Sequence, residues 1–138
     1  MRVALLISLL IMLLNGEASA ESAQVRSKEV DAVLSAPFHR CFLVKEAPLN
    51  GESYDCLDRE YHRLDAVLTR EYRAALARQP NRDTRAQLQR DERKWWRTRF
   101  DHCRDEVGDL GGSTGAVVNE FCEIMTLARR IVTLRHRI

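Results

Sequence analysis

The sequence has no stretch in which apolar and polar residues alternate over the length of a strand, so no β-sheet is predicted. Proline and glycine are scarce, at three and six residues, and they stand between long segments that contain neither. In those segments apolar residues recur every three or four positions, as on one face of an α-helix. There is no internal repeat or low-complexity segment, and the expected fold is a small all-α bundle.

Sequence patterns of several enzyme classes are also absent. The chain has no HExxH metal-binding pair, no nucleophile-elbow serine motif, and no Lys-Ser/Thr pair after its glycine-rich segment that would make a phosphate-binding loop. Its 22 basic and 20 acidic residues leave a formal charge of +2, which does not predict attraction to nucleic acid or to an anionic membrane. An enzyme, a bound cofactor, a metal and a nucleic-acid partner are therefore not expected.

The N-terminal segment has the features of an export signal. Arg2 precedes an apolar run at residues 3–14, which is shorter than a helix that spans a bilayer. Residues 18–20 follow the small-x-small pattern of a signal-peptidase site. We predict a signal peptide over residues 1–20, with an N-terminal membrane anchor as the alternative. The mature chain, residues 21–138, would be a single periplasmic or secreted domain without a stable membrane anchor.

An N-terminal appendage is predicted in residues 21–52. Apolar residues on one side indicate a short helix at residues 27–34, which Pro37 stops. Turn-forming residues then indicate an ordered loop over residues 38–53, held to the rest of the domain by Cys41.

Three long antiparallel helices are predicted in residues 53–138. Their expected boundaries are residues 53–79, 84–107 and 116–135. The second would begin with a capping box of Thr84 and Gln87, in which each side chain satisfies a backbone donor. The apolar face of the third is wide enough for a central helix that packs on two sides.

Four cysteines, an even number in a chain with an export signal, indicate disulfides. A zinc site is the alternative, although no two cysteines have the close spacing of a zinc motif. Antiparallel helices joined by a glycine-rich turn would bring Cys103 and Cys122 together, and Cys41 and Cys56 would close the N-terminal loop onto the first long helix. We predict these two pairs, each worth about 3 kcal/mol in the chain-entropy model.

The segment DERKWWRTRFDHC, residues 91–103, combines two tryptophans with basic residues. Trp95 and Trp96 lie about 100° apart on a helix, and we expect them to pack this helix against its neighbours beside a disulfide. The second interpretation is a protein-binding surface with one tryptophan partly exposed beside arginine. Interspersed acidic residues argue against a nucleic-acid track.

The glycine-rich segment GDLGGSTG, residues 108–115, is the predicted partner-binding loop. A loop held rigidly beside a disulfide loses little entropy when it enters a partner's cleft. The predicted contact residues are Asp109, Gly111, Gly112, Ser113 and Thr114. Asp105 and Glu106 would meet a basic rim together with Asp109, and Ser113 or Thr114 would cap the third helix. The alternative is a simple connector between helices.

Motifs in all three long segments resemble the LprI-type lysozyme-inhibitor family, a group of secreted bacterial helical domains. The matching segments are CLDREYHRLDAVLTREY (residues 56–72), ERKWWRTRFDHC (92–103), GGS (111–113) and CEIMTLARRIVTL (122–134). The resemblance covers about residues 41–134. The chain departs from the family pattern at Glu92, Phe100 and Thr69, where the family usually has glutamine, aspartate and asparagine.

The resemblance implies structural roles for residues within these motifs. With the tryptophan pair included, they are Asp65, Tyr72, Trp95, Trp96, Arg99, Thr126 and Arg129. Because the family pattern carries both Asp65 and Arg99, we predict a partly buried ion pair between them, with two solvated charges as the alternative.

For function, the resemblance implies an exported binding protein that inhibits a lysozyme-like peptidoglycan hydrolase, a muramidase, by occluding its cleft. The alternative is a non-catalytic envelope interaction or scaffold protein without inhibitory activity, and an enzyme is the third and least expected class. The sequence leaves the oligomeric state open.

Overall fold

The computed structural model describes residues 26–42 and 51–137, which are helical and contain no strand. The helices are α1 (residues 26–33), α2 (Ala36–Cys41), α3 (Gly51–Arg78), α4 (Arg82–Thr98), α5 (Asp101–Val107) and α6 (Gly112–Arg135). The predicted all-α, disulfide-stabilised fold is confirmed. The predicted signal peptide lies outside the described residues. Within the described ranges, no helix is both long enough and apolar enough to cross a bilayer.

The two long helices α3 and α6 form the centre of the bundle. Both present the apolar stripes that their sequences predict, and α6 contacts α5 as well as α3. The fully buried side chains between them are Leu57, Leu64, Leu68, Ile124, Leu127, Ile131 and Leu134. Burying so many leucine and isoleucine side chains supplies the main stabilisation, since each contributes about 1.5–3 kcal/mol when removed from water.

The N-terminal appendage is more helical than predicted. Residues 38–41 belong to α2 rather than to a loop, because Ser35 caps this helix through a bond from the Phe38 amide. Pro37 lies in the first turn of α2, where a proline is tolerated, and so begins a helix rather than only ending one. Residues 51–53, also predicted as loop, belong to α3, and residues 43–50 lie outside the described residues.

A buried carboxylate attaches this appendage to α3. Glu60 is 3% exposed and accepts hydrogen bonds from the Ser35 amide at 2.9 Å and the Ser35 hydroxyl at 2.6 Å. Arg63 pairs with the same carboxylate and also donates to the Val33 carbonyl at 2.6 Å. Burial acts to raise the pKa of Glu60, but the bonds from Arg63 and Ser35 outweigh it and hold the pKa below its ordinary value.

The second predicted helix is in fact two helices. α4 ends at Thr98, and α5 begins at Asp101 after Phe100, whose φ of −111° and ψ of 7° leave the helical region. The predicted capping box is also wrong. Asn81 caps α4 by accepting from the Thr84 amide at 2.9 Å, and asparagine is among the strongest N-caps.

Candidate functional site

The turn between α5 and α6, residues 108–111, has a shape that glycine sets. Gly108 has a φ of +51°, in the left-handed region that favours glycine. A Cβ atom placed on Gly115 would lie 2.1 Å from the Leu110 carbonyl oxygen. The turn therefore folds back onto the first turn of α6 at a distance that only glycine permits.

Two links hold this turn in place. The Cys103–Cys122 disulfide joins α5 to α6 with Cα atoms 5.6 Å apart. On the other side, the Tyr54 hydroxyl of α3 donates to the Ser113 carbonyl at 3.0 Å. The second disulfide, Cys41–Cys56, ties α2 to α3. Both predicted cysteine pairs are thus confirmed.

The third long helix begins earlier than predicted, at Gly112 rather than near residue 116. Gly111 is its N-cap, and no side chain caps it. The Gly115 amide closes the first turn by donating to the Gly111 carbonyl at 3.4 Å. The predicted cap by Ser113 or Thr114 is therefore wrong, since both residues lie inside the first turn.

The end of the bundle formed by residues 105–114, which we call the α5–α6 tip, is exposed. Its exposed members include all five predicted contact residues, namely Asp109, Gly111, Gly112, Ser113 and Thr114. Leu110 at its apex is 49% exposed. Asp105, Glu106 and Asp109 are also exposed, and none of the three has an ion pair within the described ranges. Leu110 was missed, although a large apolar residue between glycines in a turn was a readable signal.

The two tryptophans have different environments. Trp95 is half-buried, packs against the core, and has the Arg130 guanidinium 5.2 Å from its ring centroid. Trp96 is 37% exposed, and the Arg99 guanidinium lies 3.7 Å from its ring centroid. The prediction that both tryptophans pack into the bundle is wrong for Trp96. The environment of Trp96 matches the second interpretation, in which a tryptophan is partly exposed beside an arginine.

The predicted ion pair between Asp65 and Arg99 does not form in the described part of the chain. Arg99 instead donates to the Trp96 carbonyl at 2.9 Å and lies 4.5 Å from the centroid of the Phe100 ring. Asp65 is half-buried on α3, where its backbone carbonyl accepts a bond from Thr69. The Phe100 ring thus gives Arg99 a cation–π partner in place of a carboxylate.

An interior ion pair joins α4 to α6 instead. Glu92 is 2% exposed, and its Oε2 atom accepts from Arg130 Nε at 3.0 Å and also from Nη2. Arg129, to which a structural role was predicted, is exposed. Burial and the Glu92 carboxylate together raise the pKa of Tyr72, which is half-buried on α3. Arg130, rather than the adjacent Arg129, is therefore the arginine that pairs with a carboxylate inside the bundle.

Thr126, to which the resemblance assigns a structural role, lies beside the second disulfide. It is buried, donates to the Cys122 carbonyl at 2.9 Å, and lies 3.1 Å from His102 Nε2. His102 and the two sulfur atoms are close enough to suggest a metal site. However, a metal binds the thiolate form of cysteine, and these two sulfurs are bonded to each other. The zinc alternative is thereby excluded for this pair.

Comparison with known proteins identifies the family. The sequence model of the family described as lysozyme inhibitor LprI matches residues 45–134, which is more than half of the chain. No curated protein and no solved structure matches the chain. The matched range contains α3, α4 and α5, nearly all of α6, and the α5–α6 tip. The chain therefore belongs to the LprI lysozyme inhibitor family.

Proposed function

We propose that this protein inhibits a lysozyme-like peptidoglycan hydrolase by placing the α5–α6 tip in the enzyme's substrate cleft. Membership of a family described as lysozyme inhibitors supports an inhibitor rather than an enzyme. The observation that carries the proposal is the tip itself, in which an exposed leucine stands at the apex of a turn whose shape glycine sets.

Rigidity makes this tip suitable for entering a cleft. The Cys103–Cys122 disulfide fixes its base, and Tyr54 holds the Ser113 carbonyl. A segment that is already ordered loses less conformational entropy on binding, so more of its contact energy appears as affinity. Leu110 supplies an aliphatic anchor that can fill a pocket of the partner.

Charge supports the same face. Asp105, Glu106 and Asp109 are exposed around the apex, without an ion pair in the described ranges. Carboxylates at the rim of an interface steer association with a basic partner and fix its orientation more than they add affinity. We therefore expect the partner to carry basic residues beside its cleft, and we expect inhibition to weaken as the salt concentration rises.

The proposed site of action is outside the cytoplasm, in the periplasm or the medium. This part depends on the export signal predicted at residues 1–20, which lies outside the described residues. The target would then be a muramidase that reaches the cell wall from a host or a competing cell.

The test is a titration of a c-type lysozyme with the oxidised mature protein, using a soluble chitooligosaccharide substrate. Activity should stop near an equimolar ratio. Leu110→Ser should weaken inhibition at least about tenfold, as loss of a binding hot spot does. Trp96→Ser, which changes the other large exposed apolar residue of the described chain, should inhibit like the wild type. Full lysozyme activity at a large excess would overturn the proposal and favour a non-inhibitory envelope protein.

A further inference from the structure

One exposed side of α4 is strongly basic, which the near-neutral chain as a whole is not. At about 100° per residue, five basic residues fall on the half of the helix opposite Leu88 and Glu92, and Asp83 is the one acidic residue of α4 on that half. We call these five the basic α4 face: Arg82, Arg90, Arg93, Lys94 and Arg97. All five are exposed.

The charges of the basic α4 face are not neutralised within the described part of the chain, since none of the five takes part in an ion pair there. The other two acidic residues of α4 are already engaged, Glu92 with Arg130 and Asp91 with Arg137. The formal charge of the whole chain is only +2. The positive potential beside α4 is therefore a local feature, which the overall composition does not predict.

A fixed aromatic ring borders the basic α4 face. Trp96 lies three residues from Arg93 and beside Arg97, and it is exposed. Arg99 contacts this tryptophan in two ways. Its guanidinium lies 3.7 Å from the ring centroid, and it donates a 2.9 Å hydrogen bond to the Trp96 carbonyl. Trp95 meets the Trp96 ring edge to face, at 5.6 Å between centroids. The indole is therefore positioned by its neighbours, with the Arg99 guanidinium on one face and 37% of the residue's surface exposed.

We propose that the basic α4 face and Trp96 bind peptidoglycan. The apolar C–H faces of its sugar rings would stack on Trp96, and the carboxylates of its stem peptides would pair with the arginines, whose forked donors suit carboxylates. This inference rests on the proposed function, which puts the chain beside the cell wall. It gives the inhibitor a second surface, on a different helix from the α5–α6 tip, that concentrates the protein on its target's substrate.

Two other anionic partners fit this face less well. A helix that lies on a lipid bilayer buries an apolar face, whereas the exposed half of α4 has one large apolar side chain at its border and the buried half packs against the core. Proteins that bind single-stranded nucleic acid stack successive bases on several aromatic rings, and α4 exposes one.

The test is cosedimentation of the oxidised mature protein with purified peptidoglycan sacculi. Binding should be clear at low salt and should fall steeply by about 0.5 M NaCl, where the screening length shrinks toward a few ångströms. The triple variant Arg90→Gln/Lys94→Gln/Arg97→Gln should bind at least about tenfold more weakly. Glutamine has nearly the helix propensity of lysine and arginine, so α4 should persist.

Matched variants test whether binding depends on the basic α4 face or only on the total positive charge of the protein. Arg59→Gln/Arg70→Gln/Arg73→Gln removes the same charge from exposed positions of α3 and should bind sacculi like the wild type. Trp96→Ala should bind about fivefold more weakly. Thermal unfolding of each variant verifies that it folds.

The proposal is overturned if the α4 triple variant binds sacculi like the wild type, or if the α3 variant loses as much binding. It is also overturned if phosphatidylglycerol vesicles or a single-stranded oligonucleotide bind the wild type more tightly than sacculi do. Lysozyme inhibition on a soluble substrate, measured in parallel, should be unchanged in the α4 triple variant. Sacculus binding without inhibition would refute the proposed function and leave this surface standing.

Discussion

At the scale of single residues, the interior pair of Glu92 and Arg130 places two charges where water is largely excluded. The Glu92 Oε1 atom is buried and has no hydrogen-bond partner in the described chain. Such a pair adds little net stability, but removing one partner leaves the other charge uncompensated, which costs about 3–5 kcal/mol.

We therefore predict that Arg130→Met lowers the free energy of unfolding by about 3 kcal/mol in urea denaturation. The double variant Glu92→Met/Arg130→Met should recover most of that loss, because neither charge then remains buried. Arg129→Met is the control, since its side chain is exposed and should change stability by less than about 0.5 kcal/mol. A double variant less stable than Arg130→Met would contradict this account of the pair.

Glu120 gives a prediction about pH. It is half-buried on α6, and burial together with Asp58 and Glu123 raises its pKa above the ordinary 4.5, against an opposing effect of His62. A raised carboxyl pKa means that the folded state binds the proton more readily, so the wild type gains stability as the pH falls through that pKa. Glu120→Gln should therefore be more stable than the wild type at pH 7, by about 0.5 kcal/mol. The difference should shrink as the pH falls toward 4.5 and below.

The variant Glu60→Gln should have the opposite effect on stability, a loss rather than a gain at pH 7. The lowered pKa of Glu60 contributes stability that is present above 4.5, its ordinary value, and is lost as the pH falls through the lowered pKa. This variant should be about 2 kcal/mol less stable than the wild type at pH 7, with a smaller loss in acid. The free energy of unfolding of each variant, relative to the wild type, should therefore change with pH in opposite directions. A change in the same direction for both variants would contradict the pKa shifts given for these two carboxyls.

The sequence does not show which of two adjacent residues of the same type faces the interior of the bundle. Trp95 and Trp96 differ by one position, as do Arg129 and Arg130, yet one member of each pair contacts the interior and the other is exposed. Periodicity places an apolar stripe, but it does not decide which of two adjacent identical side chains is rotated inward. The sequence favoured the Cys103–Cys122 pair because antiparallel helices joined by a glycine-rich turn bring these two residues together.

At the scale of elements, the α5–α6 tip packs closely against Gly115 in the first turn of α6. Gly115 would clash with the Leu110 carbonyl if it carried a Cβ atom, whereas a Cβ on Gly111 would meet nothing within 4 Å. Gly115→Ala must therefore shift backbone, because the atom in its way is not the end of a flexible side chain.

We predict that Gly115→Ala lowers the free energy of unfolding by about 2 kcal/mol and weakens lysozyme inhibition, since it displaces Leu110. Gly111→Ala should cost no more than about 1 kcal/mol, the usual effect at an N-cap. Urea denaturation and inhibition of a soluble-substrate assay measure the two effects. If Gly115→Ala inhibits as well as the wild type, the shape of the turn is not what the enzyme recognises.

Elements with strong local signals were predictable, and elements decided by packing were not. α3 and α6 have long apolar stripes and clear flanking breakers, and their existence and contact follow from the sequence. The interruption at Arg99 and Phe100 carries no glycine or proline. It coincides with the stacking of Arg99 on Trp96 and Phe100, a contact that local sequence rules do not capture. The sequence does not predict the early start of α6, because a glycine-rich segment is typical of a loop.

At the scale of the whole molecule, two disulfides attach short helices to a central pair of long ones. Cys41–Cys56 joins α2 to α3, and Cys103–Cys122 joins α5 to α6. The α3–α6 core supplies the stability, and the tip and the basic α4 face are exposed on it as separate surfaces. Their separation allows inhibition and wall binding to be tested one at a time.

The most direct test of the central claim is competition for the lysozyme cleft. The affinity of the oxidised protein for a c-type lysozyme would be measured by calorimetry, with and without an N-acetylglucosamine oligomer that fills the cleft. If the α5–α6 tip occupies the cleft, the apparent dissociation constant should rise by the factor 1 + [oligomer]/K, where K is the oligomer's own dissociation constant, and it should keep rising as more oligomer is added. An affinity unchanged by the oligomer, or no measurable binding in its absence, would contradict the account.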